Sequence, residues 1–231
     1  MGINIREVYK EQIKALNGFI EDCFDNLPNK DNSLIRFGGG TALAIYYFQH
    51  RRSFDIDLFV TDPQVINYLS PKHWLEDSKN FNPIQYIDQA NHVRVLSREK
   101  IKVDILVAQD FINEAFIDKS KSLFIKDIYV ESIEDIIAKK ITYRRKDNKT
   151  RDILDIGVAL FKNPEILKAL YTKGAIEKSD ILELGEAIST LDVVEYESEL
   201  EEVEPFGEYF DIALNAPKMI IVECEALHKL F

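Results

Sequence analysis

Polar and apolar positions along this chain follow two different rhythms. Between residues 34 and 107 the apolar runs are short and several alternate with polar residues, the period-2 signature of half-buried strands. Strands are predicted over 34–37 and 54–59, where Phe54, Ile56 and Leu58 would face inward. Residues 92–97 and 101–107 are β-branched runs joined by Arg98, Glu99 and Lys100, which predicts a hairpin. Residues 72–82 are too mixed to assign. Elsewhere the rhythm is helical: an opening helix over 3–24, a loop containing Pro28 over 26–32, and a helix over 41–48 with Ala42, Leu43, Ile45 and Tyr46 apolar. Ser132 with Asp135 has the form of a capping box, followed by an apolar stripe at Ile133, Ile136, Ile137 and Ile141. After a polar break over 146–150, helical segments are expected over 156–161, 164–171 and 179–191, and in pieces between 206 and 230. Pro205 and Pro217 punctuate the last of these.

The strand pattern places chemistry as well as core. Phe54, Ile56 and Leu58 pointing one way leave Asp55 and Asp57 together on the other face. Paired carboxylates suit a hard divalent cation such as Mg²⁺ or Mn²⁺, whose octahedron is completed by water and substrate phosphates. Upstream, Gly38, Gly39 and Gly40 let the backbone approach a phosphate, and helix N-terminal amides from Thr41 onward would receive the anion. No Lys-Ser/Thr pair closes this loop and it lacks dinucleotide-fingerprint spacing, which disfavours an ATPase or a Rossmann dehydrogenase.

Four further positions extend the set. Asp104 alternates with Val103 and Ile105 and can project from the face that carries Asp55 and Asp57; without that pair it would read as an exposed strand residue. At about 100° per residue Lys140 falls inside the apolar stripe, where an ammonium must either snorkel or reach an anion. Lys139 points elsewhere and reads as a solvent residue. Asp152 and Asp155, at i and i+3, share one helical face; a cap and a surface acid are the plain alternatives. His92 and Trp74 have no constellation around them and read as structural or surface residues, and no role is assigned to His50.

Composition bounds these readings. The 231 residues are 46% hydrophobic with a net charge of −11, enough for a sizeable core. Acidity concentrates in the C-terminal third, most densely from Glu195 to Glu204 and most simply a solvated helix face, whereas Arg144, Arg145, Lys146, Lys149 and Arg151 form a basic cluster. Phosphate binding is therefore compatible with the overall charge. Only Cys23 and Cys224 are present, at no metal-binding spacing. No apolar run approaches the roughly 20 residues of a membrane span, and residues 1–14 lack the apolar core of a signal peptide. A cytoplasmic protein without membrane contact is expected.

The motifs together resemble the AbiEii/AbiGii toxin nucleotidyltransferases of the polymerase-β-like superfamily. The resemblance rests on Gly39-Gly40-Thr41-Ala42-Leu43, on His50-Arg51-Arg52-Ser53-Phe54-Asp55-Ile56-Asp57-Leu58-Phe59, on Lys102-Val103-Asp104-Ile105, and on Lys140 with Arg151-Asp152-Ile153-Leu154-Asp155-Ile156. It spans residues 36–160; no motif is assigned beyond. It implies an α+β fold: a nucleotidyltransferase core of mixed sheet flanked by helices over 1–125, and a mostly helical region over 126–231 completing the cleft. It further implies Asp55, Asp57 and Asp104 as metal ligands. Gly39, Gly40, Thr41, Ser53 and Lys140 would bind the nucleotide, and Asp152 or Asp155 would position the acceptor hydroxyl or the lysine.

The implied reaction is transfer of a nucleoside monophosphate from an NTP to an acceptor hydroxyl. Toxin resemblance points to RNA, at the 3′ end of tRNA, with a cognate antitoxin as partner, and assigns RNA contact to Arg144, Arg145, Lys149 and Arg151. A protein or small-molecule acceptor such as an aminoglycoside is the alternative within the same chemistry. A nucleotide-binding module without turnover is a third possibility, disfavoured by the intact carboxylates and Lys140.

Overall fold

Seven short strands and nine helices, with 3₁₀ turns between them, make up the computed structural model, which describes residues 3–147 and 149–229. Asn148 of the expected polar break and Leu230 of the last expected helical piece lie outside the described residues, as do Met1, Gly2 and Phe231. The chain divides into two compact units. The first holds Met1–Ile45, Ser53–Asp110 and Glu114–Glu131; the second holds Tyr46–Arg52, Phe111–Asn113 and Ser132–Phe231.

In the first unit, β1 (Arg36–Gly38), β2 (Ile56–Val60), β3 (Phe81–Gln89), β4 (His92–Ser97), β5 (Lys102–Val107), β6 (Ala115–Asp118) and β7 (Ile128–Glu131) form one sheet in the order β3-β4-β5-β2-β1-β7-β6. β2 runs parallel to β5 and β1 parallel to β7, while the other pairs are antiparallel, so the sheet is mixed as expected. The expected hairpin is β4–β5, closed through Ser97 and Ile101. Within β2, Ile56, Leu58 and Val60 are buried and Asp57 and Phe59 half-buried, but the strand expected over 54–59 starts only at Ile56, and Phe54, expected to face inward, is 51% exposed because it precedes the sheet. Val93, Val95, Val103 and Ile105 bury the same side of the neighbouring strands.

The opening helix breaks at Tyr9 into α1 (Ile5–Val8) and α2 (Lys10–Cys23), because the fully buried Tyr9 leaves helical geometry. Phe19 of α2 meets Phe24, Trp74 and Phe81 edge-on, and the Trp74 indole donates to the Leu69 carbonyl at 3.0 Å. Trp74 is thus the structural residue it was expected to be. The predicted 26–32 loop is a series of tight 3₁₀ turns. The unassigned stretch before residue 82 holds two more such turns and the start of β3. Strands β6 and β7 carried no sequence expectation. After β1 comes α3 (Gly39–Ala42), which widens into a π-helical Leu43–Phe48 in place of the regular helix expected over 41–48.

The second unit is helical: α4 (Ile133–Arg144), α5 (Thr150–Lys162), α6 (Ile166–Thr172), α7 (Lys178–Ser189), α8 (Val193–Val203) and α9 (Tyr209–His228). α5 merges the segment bearing Asp152 and Asp155 with the one expected over 156–161. It crosses α9 closely, with Gly157 against Ala216; a Cβ at Gly157 would overlap the alanine methyl. In α8 only Tyr196 and Leu200 are buried, so the glutamate run is the solvated face expected. Pro205 pairs with Arg51 in a short bridge beside a Phe206 N–H bond to the His50 carbonyl at 2.8 Å.

Pro217 corrects its expectation as a breaker, since it lies inside α9. A proline there removes the N–H that would serve the carbonyl four residues earlier, and that carbonyl belongs to the buried Ala213. The Tyr196 hydroxyl donates to it at 2.7 Å, so α8 satisfies what α9 cannot. Tyr196→Phe is expected to cost about 1–3 kcal/mol of unfolding free energy by stranding a buried acceptor. In a Pro217→Ala background, where residue 217 regains its N–H, the same substitution should cost clearly less. Urea unfolding of the four chains checks both.

Candidate active site

Two groups of predicted residues assemble, one in each unit. In the first, β2 and β5 lie parallel with Asp57 opposite Asp104. Parallel in-register neighbours present their side chains on the same face; Asp55 lies just ahead of β2 and comes near that face at Lys102, two residues before Asp104 on β5. The hairpin register sets Arg94 opposite Asp104 on the other side. Its guanidinium takes the carboxylate in a fork, Nε to Oδ1 at 2.7 Å and Nη2 to Oδ2 at 3.1 Å. His92 Nε2 reaches the same Oδ1 at 2.6 Å. The hydrogen bonds that Arg94 donates to Asp104, with the charges of Asp104, Asp55 and Asp57, raise the Arg94 pKa further, against the opposing effect of burial. All three carboxylates therefore act on one point. Lys102 Nζ lies 4.0 Å from Asp55 Oδ1.

His92 thus has the constellation the sequence reading denied it, and Arg94 was missed altogether. The signal was present: strand alternation puts His92 and Arg94 on one face, and a turn at residues 98–100 sets them across from Asp104.

The glycine segment meets this face. Gly39 has φ +66°, the left-handed region that glycine occupies without strain, and a Cβ there would run into the Asp57 carboxylate. Thr41, expected on phosphate, is instead fully buried. Its hydroxyl bonds the Asp55 carbonyl and lies 2.7 Å from Ser53 Oγ. Gln12 Nε2 donates to the Ser53 carbonyl at 2.9 Å from α2. Thr41, Ser53 and Gln12 therefore fix the backbone that delivers Asp55, while Gly39 brings the chain close to Asp57.

The donor chemistry fits a hard divalent ion: three carboxylates, with a guanidinium standing among them as a cation. Among the described residues no three His, Cys, Asp or Glu side chains form a ready metal-binding group, and Asp104 gives both its oxygens to Arg94 and His92.

In the second unit Lys140, Asp152 and Asp155 come together with two residues that had no assigned role there, His50 and Arg51. Asp155 is completely buried. It accepts from Arg51 Nε at 2.7 Å and Nη2 at 2.9 Å, from His50 Nε2 at 2.6 Å, and pairs with Lys140 Nζ at 2.8 Å. Lys140 also bonds Asp152, which Arg144 Nη1 approaches at 3.3 Å. The anion that draws Lys140 inward is this aspartate pair. Lys139 is a correction: it is 6% exposed, as buried as Lys140, and pairs with Asp135. Residues 135–141 are buried on every side of α4, so one stripe does not describe the helix. Ser132 caps as expected, but Asp135 spends its carboxylate on Lys139 and the Phe111 N–H, leaving half a capping box.

The basic cluster is largely neutralised within its own unit. Arg145 pairs with Glu183 and Asp180, Lys146 with Glu183 at 3.0 Å, and Lys149 with Asp147 at 3.3 Å. Arg151 is exposed.

Charge balance around Asp155 sets a pH dependence. Burial pushes its carboxyl up, but the charges of Arg51 and Lys140 and the bonds from Arg51 and His50 outweigh it and hold the group well below its ordinary 3.8. Burial pushes the His50 imidazole below its ordinary 6.5, against the hydrogen bond and charge of Asp155. Neutral His50 with its proton on Nε2 accounts for the bond to Asp155, and Nδ1 has no hydrogen-bond partner. Both folded values are depressed, so both contributions are full above the unfolded values and are lost as pH falls through the folded ones. Urea midpoints should decline from pH 6.5 downward through His50 and again below 3.8 through Asp155. In His50→Gln the first decline should shrink. Asp155→Asn should cost about 3–5 kcal/mol at neutral pH by stranding buried cations.

Residues 24–205 match the family described as Nucleotidyl transferase AbiEii toxin, Type IV TA system. No curated protein matches the chain. Among solved structures, JHP933 from Helicobacter pylori is similar at 16% identity and a TM-score of 0.53, over 100% of this chain and 96% of that one. MenT4, a nucleotidyltransferase toxin from Mycobacterium tuberculosis H37Rv, is similar at 14% identity and a TM-score of 0.53, over 97% of this chain and 90% of that one. At these identities the likeness is one of fold, and it agrees with the mixed sheet flanked by helices. With the family match running from the end of α2 past α8, the chain belongs to the AbiEii nucleotidyl transferase toxin family.

Proposed function

We propose that this toxin nucleotidyltransferase transfers a nucleoside monophosphate from an NTP to an RNA hydroxyl, the 3′ end of tRNA, with Asp55, Asp57 and Asp104 as the residues that hold a divalent ion. The observation that carries this reading is the parallel register that sets Asp57 beside Asp104, with Asp55 just ahead of β2. A bound Mg²⁺ or Mn²⁺ would supply charge for the phosphates and polarise the reacting oxygens. The acceptor oxygen forms a bond to the α-phosphorus, the bond to the β-phosphate oxygen breaks, and pyrophosphate leaves. The hydroxyl proton passes to a carboxylate, for which Asp104 is the candidate. Gly39 and Gly40 are assigned to the phosphates, the Gly39 backbone passing so close to Asp57 that a Cβ would strike its carboxylate, while Thr41 and Ser53 act through the Asp55 backbone they hold.

Lys140 is assigned to the triphosphate, with Asp152 and Asp155 fixing its ammonium; a variant Lys140→Met that loses stability but keeps NTP affinity would reassign it to the scaffold. RNA contact is assigned to Arg144, Arg145, Lys149 and Arg151. A protein or small-molecule acceptor is favoured by one observation, the neutralisation of Arg145, Lys146 and Lys149 by neighbouring carboxylates. A toxin of this family implies an antitoxin partner. Among the described residues no helix is long and apolar enough to cross a membrane.

Incubation with each labelled NTP, Mg²⁺ and either total tRNA or total protein separates the acceptors: label on tRNA supports the proposal, and label on protein alone refutes it. Asp57→Ala should lower transfer by about a thousandfold, in the range of lost electrostatic stabilisation, with no loss of melting temperature. Expression of the wild type should slow bacterial growth, and expression of Asp57→Ala should not.

A further inference from the structure

Asp104, which the proposed chemistry needs, is already committed within the chain. Both its oxygens are engaged by the Arg94 fork, and Oδ1 also by His92, in a carboxylate that is 5% exposed. A fork of two charge-assisted bonds is among the stronger polar contacts a protein makes, and it fixes the carboxylate plane. A divalent ion would need those same oxygens.

We propose that Arg94 is a positioning residue that serves as an internal counter-cation for Asp104, competing with a divalent ion for its carboxylate and so setting the cation concentration at which the site fills. The inference rests on the metal-site reading of Asp55, Asp57 and Asp104. Three features support it. Arg94 stands across the hairpin from Asp104 and gives it a two-point bond, whereas Lys102 stands 4.0 Å from Asp55. The charges of Asp55 and Asp57 reach Arg94 as well, so its guanidinium offsets the whole carboxylate face. Arg94 is also only half-buried, which leaves the guanidinium a route to solvent when Asp104 is released. Holding Asp104 by a neighbour rather than by water keeps three carboxylates together without a metal, at the cost of a higher threshold for binding one.

Calorimetric titration of the metal-stripped full chain with Mn²⁺ tests this, in parallel with melting temperatures without metal. Arg94→Met should bind Mn²⁺ about tenfold more tightly, the scale of one charge-assisted pair. Without metal it should melt lower than wild type, and Mn²⁺ should restore the difference. Arg94→Lys keeps the charge but cannot make the fork, and should tighten binding in the same direction if Arg94→Met fails to fold. Lys102→Met removes a cation of equal charge and should change affinity less than about twofold. Unchanged or weaker Mn²⁺ binding in the Arg94 variants would overturn the proposal, as would an equal gain in Lys102→Met, which would reduce the effect to net charge. Asp57→Ala separates the two readings: retained wild-type Mn²⁺ binding there defeats the metal site itself, whereas lost binding there with unchanged Arg94 variants defeats only the role of Arg94.

Discussion

A carboxylate withdrawn from water has to find its counter-charge inside the chain, and both units are organised around that requirement. Desolvating an ion costs several kcal/mol before any partner is counted, so Asp155, Asp104 and Asp135 each gather at least one cation, and two of them a histidine as well. Asp155 gathers Arg51, His50 and Lys140; Asp104 gathers Arg94 and His92; Asp135 takes Lys139. None of these carboxylates can move alone. The consequence is that these carboxylates are held in place by ion pairs.

The two halves of the N-terminal signature are one structural object. Gly39 and Thr41 lie at the start of a helix, and Ser53 and Asp55 lie in the approach to β2, yet the Thr41 hydroxyl ties the segments together through Ser53 Oγ and the Asp55 carbonyl. Gly39 completes the fit by lacking a Cβ where the Asp57 carboxylate passes. A glycine-rich turn and a pair of aspartates at that spacing are thus coupled by contact, which is the physical content of the family's motif in this chain. The hydroxyl tie fixes the backbone at Asp55.

In the helical unit, polar satisfaction rather than propensity decides the layout. Pro217 sits in the interior of α9 because the Tyr196 hydroxyl meets the carbonyl that the proline leaves without a donor. Likewise Lys139 and Lys140 lie adjacent in α4 and are both buried, each because an aspartate stands against it.

By itself the sequence determined the mixed strand and helix composition, the β4–β5 hairpin, the buried face of Ile56 and Leu58 and the inward pull on Lys140. These are local consequences of period 2, period 3.6 and the cost of burying charge, and they need no knowledge of distant segments. Tertiary structure decided which side chain answers which charge. That Arg94 grips Asp104 follows from a hairpin register; that Arg51 and His50 converge on Asp155 depends on residues more than a hundred positions apart meeting; that a proline continues a helix depends on a tyrosine from another one. Periodicity reports which face of an element is buried, but an ion pair is a property of two elements at once, so its partner becomes readable only when the fold has brought them together.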